Sequence, residues 1–401
     1  MDEQAPVSDW TTDFDIFDRE YTKDPGPIWK DLRERCPMAH SDRFGGMWMA
    51  TRYEDVQALV RKVPELSNRQ PSLSPMKPEK DLLADYNSEM LPPISADPPE
   101  QIPLRRLILP FFTPKAVEAH RPFTQKLCND LIDGFIGKGE ADGAADYAQQ
   151  ITPRVIAHML GIDTARADQF VGWVRGFVEL GVADIELRTR SRREIMNFFA
   201  TEVAARRENP SDDYISQLLL KDIDGEPLTD KMVINMCLLL LTAGIDTTWS
   251  SIGTSLLHFA THAEDRRRMA GEPGLWPTAI EEMLRLHAPV SVARIAMEDV
   301  EHNGTIFARG DRLMLNLPAA NRDPEVFECP DEAVLDRAKN RHVAFGIGVH
   351  RCAGSNLARM EMEVALQTWF ERIPEFELRD PGAVTWAAGQ VRGARNVPVK
   401  F

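Results

Sequence analysis

The chain has 401 residues, of which 43% are hydrophobic, and a net charge of −15. This length allows a large buried core, and the acidic balance argues against nucleic acid or an anionic membrane as a partner. The five cysteines form no paired framework, which suits a reducing cytoplasm. The N-terminus is too polar for a signal peptide, and the longest apolar run, 236–245, is too short to span a membrane. We therefore expect a soluble, cytoplasmic protein.

The first two thirds of the chain are predicted to be mainly helical. Residues 45–51 read as an early strand, and helical periodicity dominates from about residue 115 to residue 290. Residues 76–96 have no clean period and are rich in proline and charged side chains. An irregular segment of this length in a compact domain is usually functional, and a merely exposed loop is the alternative.

The last third of the chain contains the other strand signals. Asn303-Gly304 predicts a tight turn, residues 312–317 alternate as a strand, and residues 384–401 are predicted to form a strand pair. No repeat, low-complexity tract or linker divides the sequence. We predict a single domain over residues 1–401, mainly α with a small β region.

A long central helix is predicted from Thr229, a good N-cap residue, to about His262. At 1.5 Å per residue it would be roughly 50 Å long, enough to cross the domain. Because it is so apolar, it must be buried inside the protein. Its middle, Ala243–Thr248, reads AGIDTT and interrupts the apolar pattern.

Asp246 and Thr247 are the candidate catalytic residues of this helix. Burying an acid is costly unless the acid is paired or functional. In the structural alternative, the Thr247 hydroxyl donates to the carbonyl of Ala243 and Asp246 pairs with a distant arginine. Gly244 removes a side chain where a flat cofactor could lie against the backbone, and it permits a local distortion of the helix.

The most informative motif is the loop Phe345–Gly354, which reads FGIGVHRCAG and places Cys352 among glycines behind a basic residue. Met362 and Leu366 then follow at helical spacing. A thiolate at a helix N-terminus is stabilised by unpaired N–H groups and by the helix dipole, and it can serve as the axial ligand of a haem iron. A buried structural cysteine is the alternative. A zinc site and a dinucleotide fingerprint fail, because there is no C-x-x-C pair and Arg351 replaces the third glycine.

This loop resembles the haem-binding signature of the cytochrome P450 family, the haem-thiolate monooxygenases. The resemblance covers nearly the whole chain and looks like the soluble bacterial members of the camphor-hydroxylase type. It implies the fold of that family, in which a long central helix lies over haem b. It also implies that Cys352 is the iron ligand and that Phe345, Gly346 and Gly354 form the loop around the cofactor.

The resemblance assigns further roles to residues outside the loop. The family's structural, non-catalytic ion network is matched by Glu282, Arg285 and Arg337, for which an exposed helical ion pair is the alternative. The contacts to the haem propionates are matched by Gln101, Arg105, Arg294 and His350. His342 is either an additional propionate contact or a histidine satisfied elsewhere. By the same similarity, the substrate pocket is lined by Leu239, Thr242, Val290, Val292, Gln390 and Val391.

The implied activity is the insertion of one atom of O₂ into a small hydrophobic substrate. Asp246 and Thr247 would deliver protons, Gly244 would make room for oxygen, and residues 76–96 would cover the substrate pocket. Electrons would come from a ferredoxin-type protein and its NAD(P)H reductase, because no flavin or iron–sulfur module is expected in the chain. The candidates for a basic docking patch are Arg105, Arg106, Arg341 and Arg351.

Two alternatives stay open at this point. A haem-thiolate peroxygenase would use H₂O₂ directly, and a non-enzymatic haem-binding protein would have no turnover. Neither needs the acid–alcohol pair, so Asp246-Thr247 argues against both.

Overall fold

The computed structural model describes residues 6–69 and 91–401. Within them the chain forms a mainly helical fold with several small sheets. The α-helices are α1 (Arg19–Lys23), α2 (Gly26–Arg35), α3 (Tyr53–Leu59), α4 (Gln101–Ile108), α5 (Pro114–Glu118), α6 (Arg121–Asp133), α7 (Gln149–Met159), α8 (Ala167–Val174), α9 (Ile185–Glu208), α10 (Tyr214–Leu219), α11 (Asp230–Thr261), α12 (Ala263–Gly271), α13 (Trp276–Leu286), α14 (Leu317–Ala320) and α15 (Ser355–Arg372).

The strands are short and lie mostly near the two ends of the chain. They are β1 (Met38–Ser41), β2 (Met47–Ala50), β3 (Leu66–Ser67), β4 (Glu140–Asp142), β5 (Asp222–Ile223), β6 (Glu226–Pro227), β7 (Val292–Ala296), β8 (Val300–His302), β9 (Thr305–Phe307), β10 (Arg312–Leu315), β11 (Glu377–Leu378), β12 (Thr385–Trp386), β13 (Ala394–Asn396) and β14 (Pro398–Lys400).

The largest sheet has the strand order β1-β2-β10-β7-β3. Strands β2 and β10 run parallel, and the other neighbours in this sheet are antiparallel. A second sheet has the order β11-β14-β4, and the remaining strands form the pairs β12-β13, β5-β6 and β8-β9. The large sheet therefore joins the N-terminal region to the segment that leads towards the cysteine loop.

The central helix α11 is the core of the helical region. Thr229 caps it, because its hydroxyl accepts a hydrogen bond from the N–H of Met232 at 3.3 Å. By length and composition α11 could cross a membrane, yet 72% of its most apolar window is buried inside the fold. The predicted helix from Thr229 to about His262 is confirmed, and it is a buried core helix.

Most of the predicted strands are confirmed, with shorter bounds. The residue pair Asn303-Gly304 turns between β8 and β9 with positive φ at both residues. The strand expected over residues 312–317 ends at Leu315, because α14 begins at Leu317 and has a proline in its first turn. The predicted tail pair is present as β12 and β13, while β14 pairs with β4 and β11.

A buried ion network anchors the segment that precedes the cysteine loop. Glu282 and Arg285 are both fully buried, and the Arg285 guanidinium donates two hydrogen bonds of 2.8 Å to the Glu282 carboxylate. Arg337 Nε donates to the same carboxylate at 3.0 Å. Burial opposes the charge of Glu282, but the hydrogen bonds from Arg285 and Arg337 hold its pKa below the usual range. The three residues thus form one buried ion network, and the exposed alternative is wrong.

The free energy of unfolding should depend strongly on this network. Arg285→Met should lower it by about 3–5 kcal/mol, because a buried carboxylate loses its closest partner. Arg372→Met is the matched control, since Arg372 pairs with Asp133 at the surface and should cost less than about 1 kcal/mol. Chemical unfolding measures both values, and equal losses in the two variants would contradict the assignment.

Candidate active site

A cavity lies between α11, α4 and the cysteine loop. The lining residues from α11 are Leu239, Leu240, Ala243, Gly244, Thr247, Thr248 and Ser251. The cysteine loop contributes Phe345, Gly346, His350, Cys352 and Gly354. The facing residues include Arg105, Val290, Val292, Arg294 and Gln390. The cavity therefore collects most of the residues that the sequence singled out.

The cysteine loop has a fixed backbone geometry that depends on its glycines. Gly346 and Gly348 have φ values of 63° and 74°, in the left-handed region that favours glycine. The N–H of Cys352 donates to the carbonyl of Phe345 at 2.8 Å and closes the loop. Arg359 stacks on the ring of Phe345 at 4.5 Å, which holds the first residue of the loop in place.

Cys352 lies in the cavity wall, two residues before Gly354, which is the N-cap residue of α15. Burial within the surrounding protein raises the pKa of this thiol. The N–H of Gly354 and the guanidinium groups of Arg105 and Arg351 oppose that rise. The helix N-terminus and the nearby arginines favour the thiolate, as predicted, but burial outweighs them and the pKa of the thiol is raised overall.

Two side chains in the cavity wall, Arg294 and His350, have a nitrogen without a hydrogen-bond partner in residues 6–69 and 91–401. Buried Arg294 donates from Nη1 to the Asn68 side chain at 2.6 Å, but its Nε has no hydrogen-bond partner. His350 Nε2 is also unpartnered, with Asp97 3.9 Å away. Burial lowers the pKa of Arg294 to about 10 and that of His350 to about 4. An anionic group in the cavity would satisfy both side chains.

Arg105 and Gln101 lie on α4 but have different surroundings. Arg105 lines the cavity, and its guanidinium donates to the carbonyl of Arg351. Gln101 is buried away from the cavity lining, and its amide nitrogen donates to the carbonyl of Val349 at 2.8 Å. The predicted cofactor contact of Gln101 is therefore corrected to a contact that holds the cysteine loop.

His342 also has a partner outside the cavity. Its Nε2 lies 2.9 Å from the carboxylate of Glu281, which Arg359 binds with two further hydrogen bonds. Burial opposes ionisation of Glu281, yet these partners lower its pKa to about 2. Of the two alternatives for His342, the structure supports a histidine satisfied by a carboxylate.

The acid–alcohol pair of α11 is arranged as the structural alternative described it. The Thr247 hydroxyl lines the cavity and donates to the carbonyl of Ala243 at 2.8 Å. Asp246 is buried outside the lining and pairs with Arg395 at 2.7 Å. Burial raises the pKa of Asp246, Arg395 lowers it, and Glu179 raises it again. Of the predicted catalytic pair, Thr247 therefore lines the cavity and Asp246 does not.

Gly244 lines the cavity, but the structure gives a different reason for its missing side chain. An added Cβ would lie 2.6 Å from Cδ1 of Ile156 on α7. The glycine therefore permits close packing of α7 on α11. Helix α11 is assigned as one continuous helix from Asp230 to Thr261, and Gly244 lies within it.

Four of the six predicted substrate residues line the cavity. They are Leu239, Val290, Val292 and Gln390. Thr242 is buried outside the lining, and its hydroxyl donates to the carbonyl of Leu238 at 2.8 Å. Val391 also lies outside the lining and forms an isolated β-bridge with Val290. Of the predicted cover over residues 76–96, the part up to residue 90 lies outside the described residues, whereas Pro92, Pro93 and Ile94 line the cavity.

Sequence reasoning missed three residues that shape the site. Asn68 binds Arg294 inside the cavity, and no motif marked it. Asp97 precedes Arg105 in the sequence. Its carboxylate accepts hydrogen bonds from the hydroxyl of Ser67 and from the N–H of Asn68. Arg395 occupies a tail strand without any motif, and the packing of β13 against α11 brings it to Asp246.

The residues present fit a haem group. The cavity is largely apolar, a thiol faces it, and the unpartnered Arg294 and His350 lie in its wall together with Arg105. Two haem propionates would supply the acceptors that these side chains lack. The site thus has the features of a haem-thiolate protein, in which Cys352 provides the iron ligand.

Comparison with known proteins assigns the chain to a family. The family model "Cytochrome P450" matches residues 275–382. The polyketide biosynthesis cytochrome P450 PksS of Bacillus subtilis is 30% identical over 398 residues, which cover 96% of this chain and 97% of the relative. The vitamin D(3) 25-hydroxylase of Pseudonocardia autotrophica is 33% identical over 375 residues, 92% of this chain and 91% of the relative.

Solved structures agree with this assignment. The structure of PksS has a TM-score of 0.87 at 29% identity and covers 96% of this chain and 99% of its own. The structure of P450BioI in complex with hexadec-9Z-enoic acid ligated acyl carrier protein has a TM-score of 0.85 at 29% identity, with coverage of 95% and 100%. The chain belongs to the cytochrome P450 family. It is a P450 monooxygenase, and its cofactor is haem b.

Cys352→Ala should abolish the thiolate-type absorption spectrum of the reduced carbon monoxide complex. Haem could still bind through the apolar walls and the propionate contacts, but without a sulfur ligand. Cys329→Ala is the matched control, because Cys329 is exposed and lies outside the cavity lining. A Cys352→Ala protein with the wild-type spectrum would mean that another residue is the ligand.

Proposed function

We propose that this monooxygenase inserts one oxygen atom of O₂ into a small hydrophobic substrate held in the cavity. The carrying observation is that one cavity contains the Cys352 thiol, the Thr247 hydroxyl and the unpartnered nitrogens of Arg294 and His350. The walls next to α11 are mainly apolar and include Leu239, Val290 and Val292. Such a pocket selects substrates by apolar burial.

The residues of this chain would hold haem b from two sides. When bound, the cofactor supplies the oxygen-activating chemistry, and a thiolate ligand favours O–O cleavage by donating electron density. Cys352 would bind the iron, and Arg294, His350 and Arg105 would bind the propionates. The chain itself orients the substrate, excludes water and moves protons.

Thr247 is the proposed proton donor inside the cavity. Its hydroxyl oxygen can accept a hydrogen bond from a water molecule while its O–H donates to the carbonyl of Ala243. When the hydroxyl turns away from that carbonyl, it can donate into the cavity. Among mainly apolar walls, this alcohol is well placed to direct a proton to the reacting oxygen.

Asp246 is the proposed source that replaces the proton of Thr247. Burial raises the pKa of this carboxyl although Arg395 opposes the rise, so a proton can reside on it more easily than on an exposed aspartate. Arg395 also contacts Ser250 at 2.9 Å and Glu179 at 3.3 Å. These contacts form a polar chain that leads from Asp246 towards the surface. To supply protons, the Asp246 carboxyl group must leave its ion pair with Arg395 and turn towards the cavity.

Electrons are proposed to arrive at the cysteine side from an acidic ferredoxin and its NAD(P)H reductase. Ile102, Arg106 and Leu109 are exposed along one stripe of α4 and the turn that follows it, and Val349 and Arg351 are exposed on the cysteine loop. We call these five residues the cysteine-side face. Of the predicted basic patch, Arg105 is used by the loop, whereas the exposed Arg106, Arg341 and Arg351 have side chains without an ion pair in the described parts of the chain.

The protein is proposed to work as a single soluble, cytoplasmic domain over residues 1–401. The net charge of −15 favours solubility and disfavours nucleic acid and anionic membranes. The apolar helix α11 is accounted for by burial in the core.

Thr247→Ala should divert electrons from product to peroxide while haem binding and substrate affinity stay close to wild type. Loss of general acid assistance is typically worth about 10²–10⁴-fold in the proton-transfer step. The measurement is product formed per NAD(P)H consumed, with peroxide quantified in the same reaction. Thr247→Ser keeps a hydroxyl and is the control that should couple well. If Thr247→Ala couples as tightly as Thr247→Ser, the hydroxyl has only the structural role of bonding to Ala243.

Arg106→Glu should slow reduction by the ferredoxin and reduce the dependence of that rate on salt, because electrostatic steering is screened by ions. Arg267→Glu on α12 is the control, since it makes the same change of charge at an exposed site away from the cysteine-side face. Stopped-flow reduction over a range of ionic strengths measures both variants. Equal slopes for Arg106→Glu and Arg267→Glu would exclude Arg106 from the docking surface.

A further inference from the structure

The first half of α9 contains an uncompensated cluster of positive charge. Arg190 and Arg193 are exposed and Arg192 is half-buried. None of these three side chains forms an ion pair or a hydrogen bond with another residue of 6–69 or 91–401. We call these three residues the α9 arginine patch. In a chain with 62 acidic and 47 basic residues, three adjacent cations without partners require an explanation.

Glu186 lies one helical turn before Arg190 and is exposed, whereas three other acids near the patch have partners elsewhere. Asp184 caps α9 by accepting from the N–H of Leu187 at 3.0 Å, and Glu194 accepts from Trp173 Nε1 at 2.8 Å. Glu179 binds Arg175 and Arg395. The patch therefore keeps its positive charge available to a partner outside the chain.

The turn before α9 adds an apolar part to the same surface. Leu180 is 52% exposed and Ile185 is 57% exposed. The segment that contains this turn packs closely on α9 and on itself. A Cβ on Gly176 would lie 2.2 Å from Ser191 Oγ on α9, and a Cβ on Gly181 would lie 2.1 Å from the carbonyl oxygen of Gly176. This close packing gives the patch a rigid base, which lowers the entropic cost of docking.

A short series of contacts joins this surface to the cavity. Leu180 follows Glu179, whose carboxylate lies 3.3 Å from Arg395, and Arg395 pairs with Asp246 next to the cavity residue Thr247. The α9 arginine patch and the cysteine loop belong to different elements, and α9 packs on α8, α10 and α11. A partner on the patch would thus be near the substrate side of α11.

We propose that the α9 arginine patch, with Leu180 and Ile185, docks a small acidic carrier protein that presents the hydrophobic substrate as a thioester on a flexible arm. The proposal rests on the proposed function, because it names how the substrate reaches the same cavity. Charge complementarity to arginine selects an acidic partner at short range, whereas the net charge of −15 repels it elsewhere. The exposed aliphatic side chains would form the apolar centre of the contact.

Two other occupants fit the surface less well. The ferredoxin must approach the thiolate, so the cysteine-side face suits it better. An anionic membrane would be repelled by Asp184 and Glu186, which are exposed on either side of Ile185. A folded protein can place cations opposite these two acids, and a uniformly anionic lipid surface cannot.

The test uses the haem-loaded protein and a dye-labelled acyl carrier protein with a palmitoyl chain, followed by fluorescence anisotropy at low and high salt. Arg190→Glu/Arg193→Glu should weaken binding by about tenfold or more at low salt. The control variant Arg19→Glu/Arg267→Glu reverses the charge of two exposed arginines outside the patch. It should weaken binding by no more than about twofold, because it changes only the net charge. The thermal midpoint and haem spectrum of each variant verify that it is folded.

Equal affinities of the patch and control variants would overturn the proposal, and so would an absence of wild-type binding at low salt. Binding of the wild type to phosphatidylglycerol vesicles, lost in the patch variant and without carrier binding, would assign the surface to lipid instead. Turnover of a free hydrophobic substrate with NAD(P)H, ferredoxin and reductase is measured separately. Product without carrier binding would reject this inference alone, whereas the absence of any product would reject the proposed function.

Discussion

The position of the cysteine loop depends on the buried carboxylate of Glu282. Arg285 binds that carboxylate and also donates to the carbonyl of Asn321 at 2.9 Å. The Asn321 side chain accepts from the N–H of Val343 at 2.7 Å, just before the loop begins. Because removing either charge would leave the other unpaired in the core, the network keeps one geometry. The thiol of Cys352 therefore reaches the cavity from a rigid support.

The polar side chains of the cavity wall offer more hydrogen-bond donors than acceptors. Asp97 is the nearest acid to His350, and it is already bound by Ser67 and Asn68. Arg294 thus keeps an unpartnered nitrogen in an apolar site, which is costly unless an anion completes it. A dianionic cofactor with a flat apolar body would provide acceptors for Arg294 and His350 and would fill the apolar cavity. The acid on α11 is arranged differently, since Arg395 already neutralises Asp246.

Local patterns in the sequence predicted α11, the turn at Asn303 and the cysteine loop, because cap residues, periodicity and glycine φ requirements act within a few residues. They did not predict the strand of residues 140–142, which exists only because β14 from the end of the chain pairs with it. The partners of Gln101 and Asp246 were missed for the same reason, since Val349 and Arg395 are far along the chain. Spacing could identify the residue types of the site, but only tertiary packing decides which of them face the cavity.

The central claim is that this cavity is built for a haem whose propionates accept hydrogen bonds from the unpartnered nitrogens of Arg294 and His350. Its most direct test is the affinity of the apoprotein for haem compared with that for haem dimethyl ester, measured by absorbance titration. The two compounds share the iron and the apolar ring, but the ester has no carboxylates. The account predicts weaker binding of the ester, because Arg294 and His350 would remain without anionic partners. Equal affinities for the two compounds would contradict it.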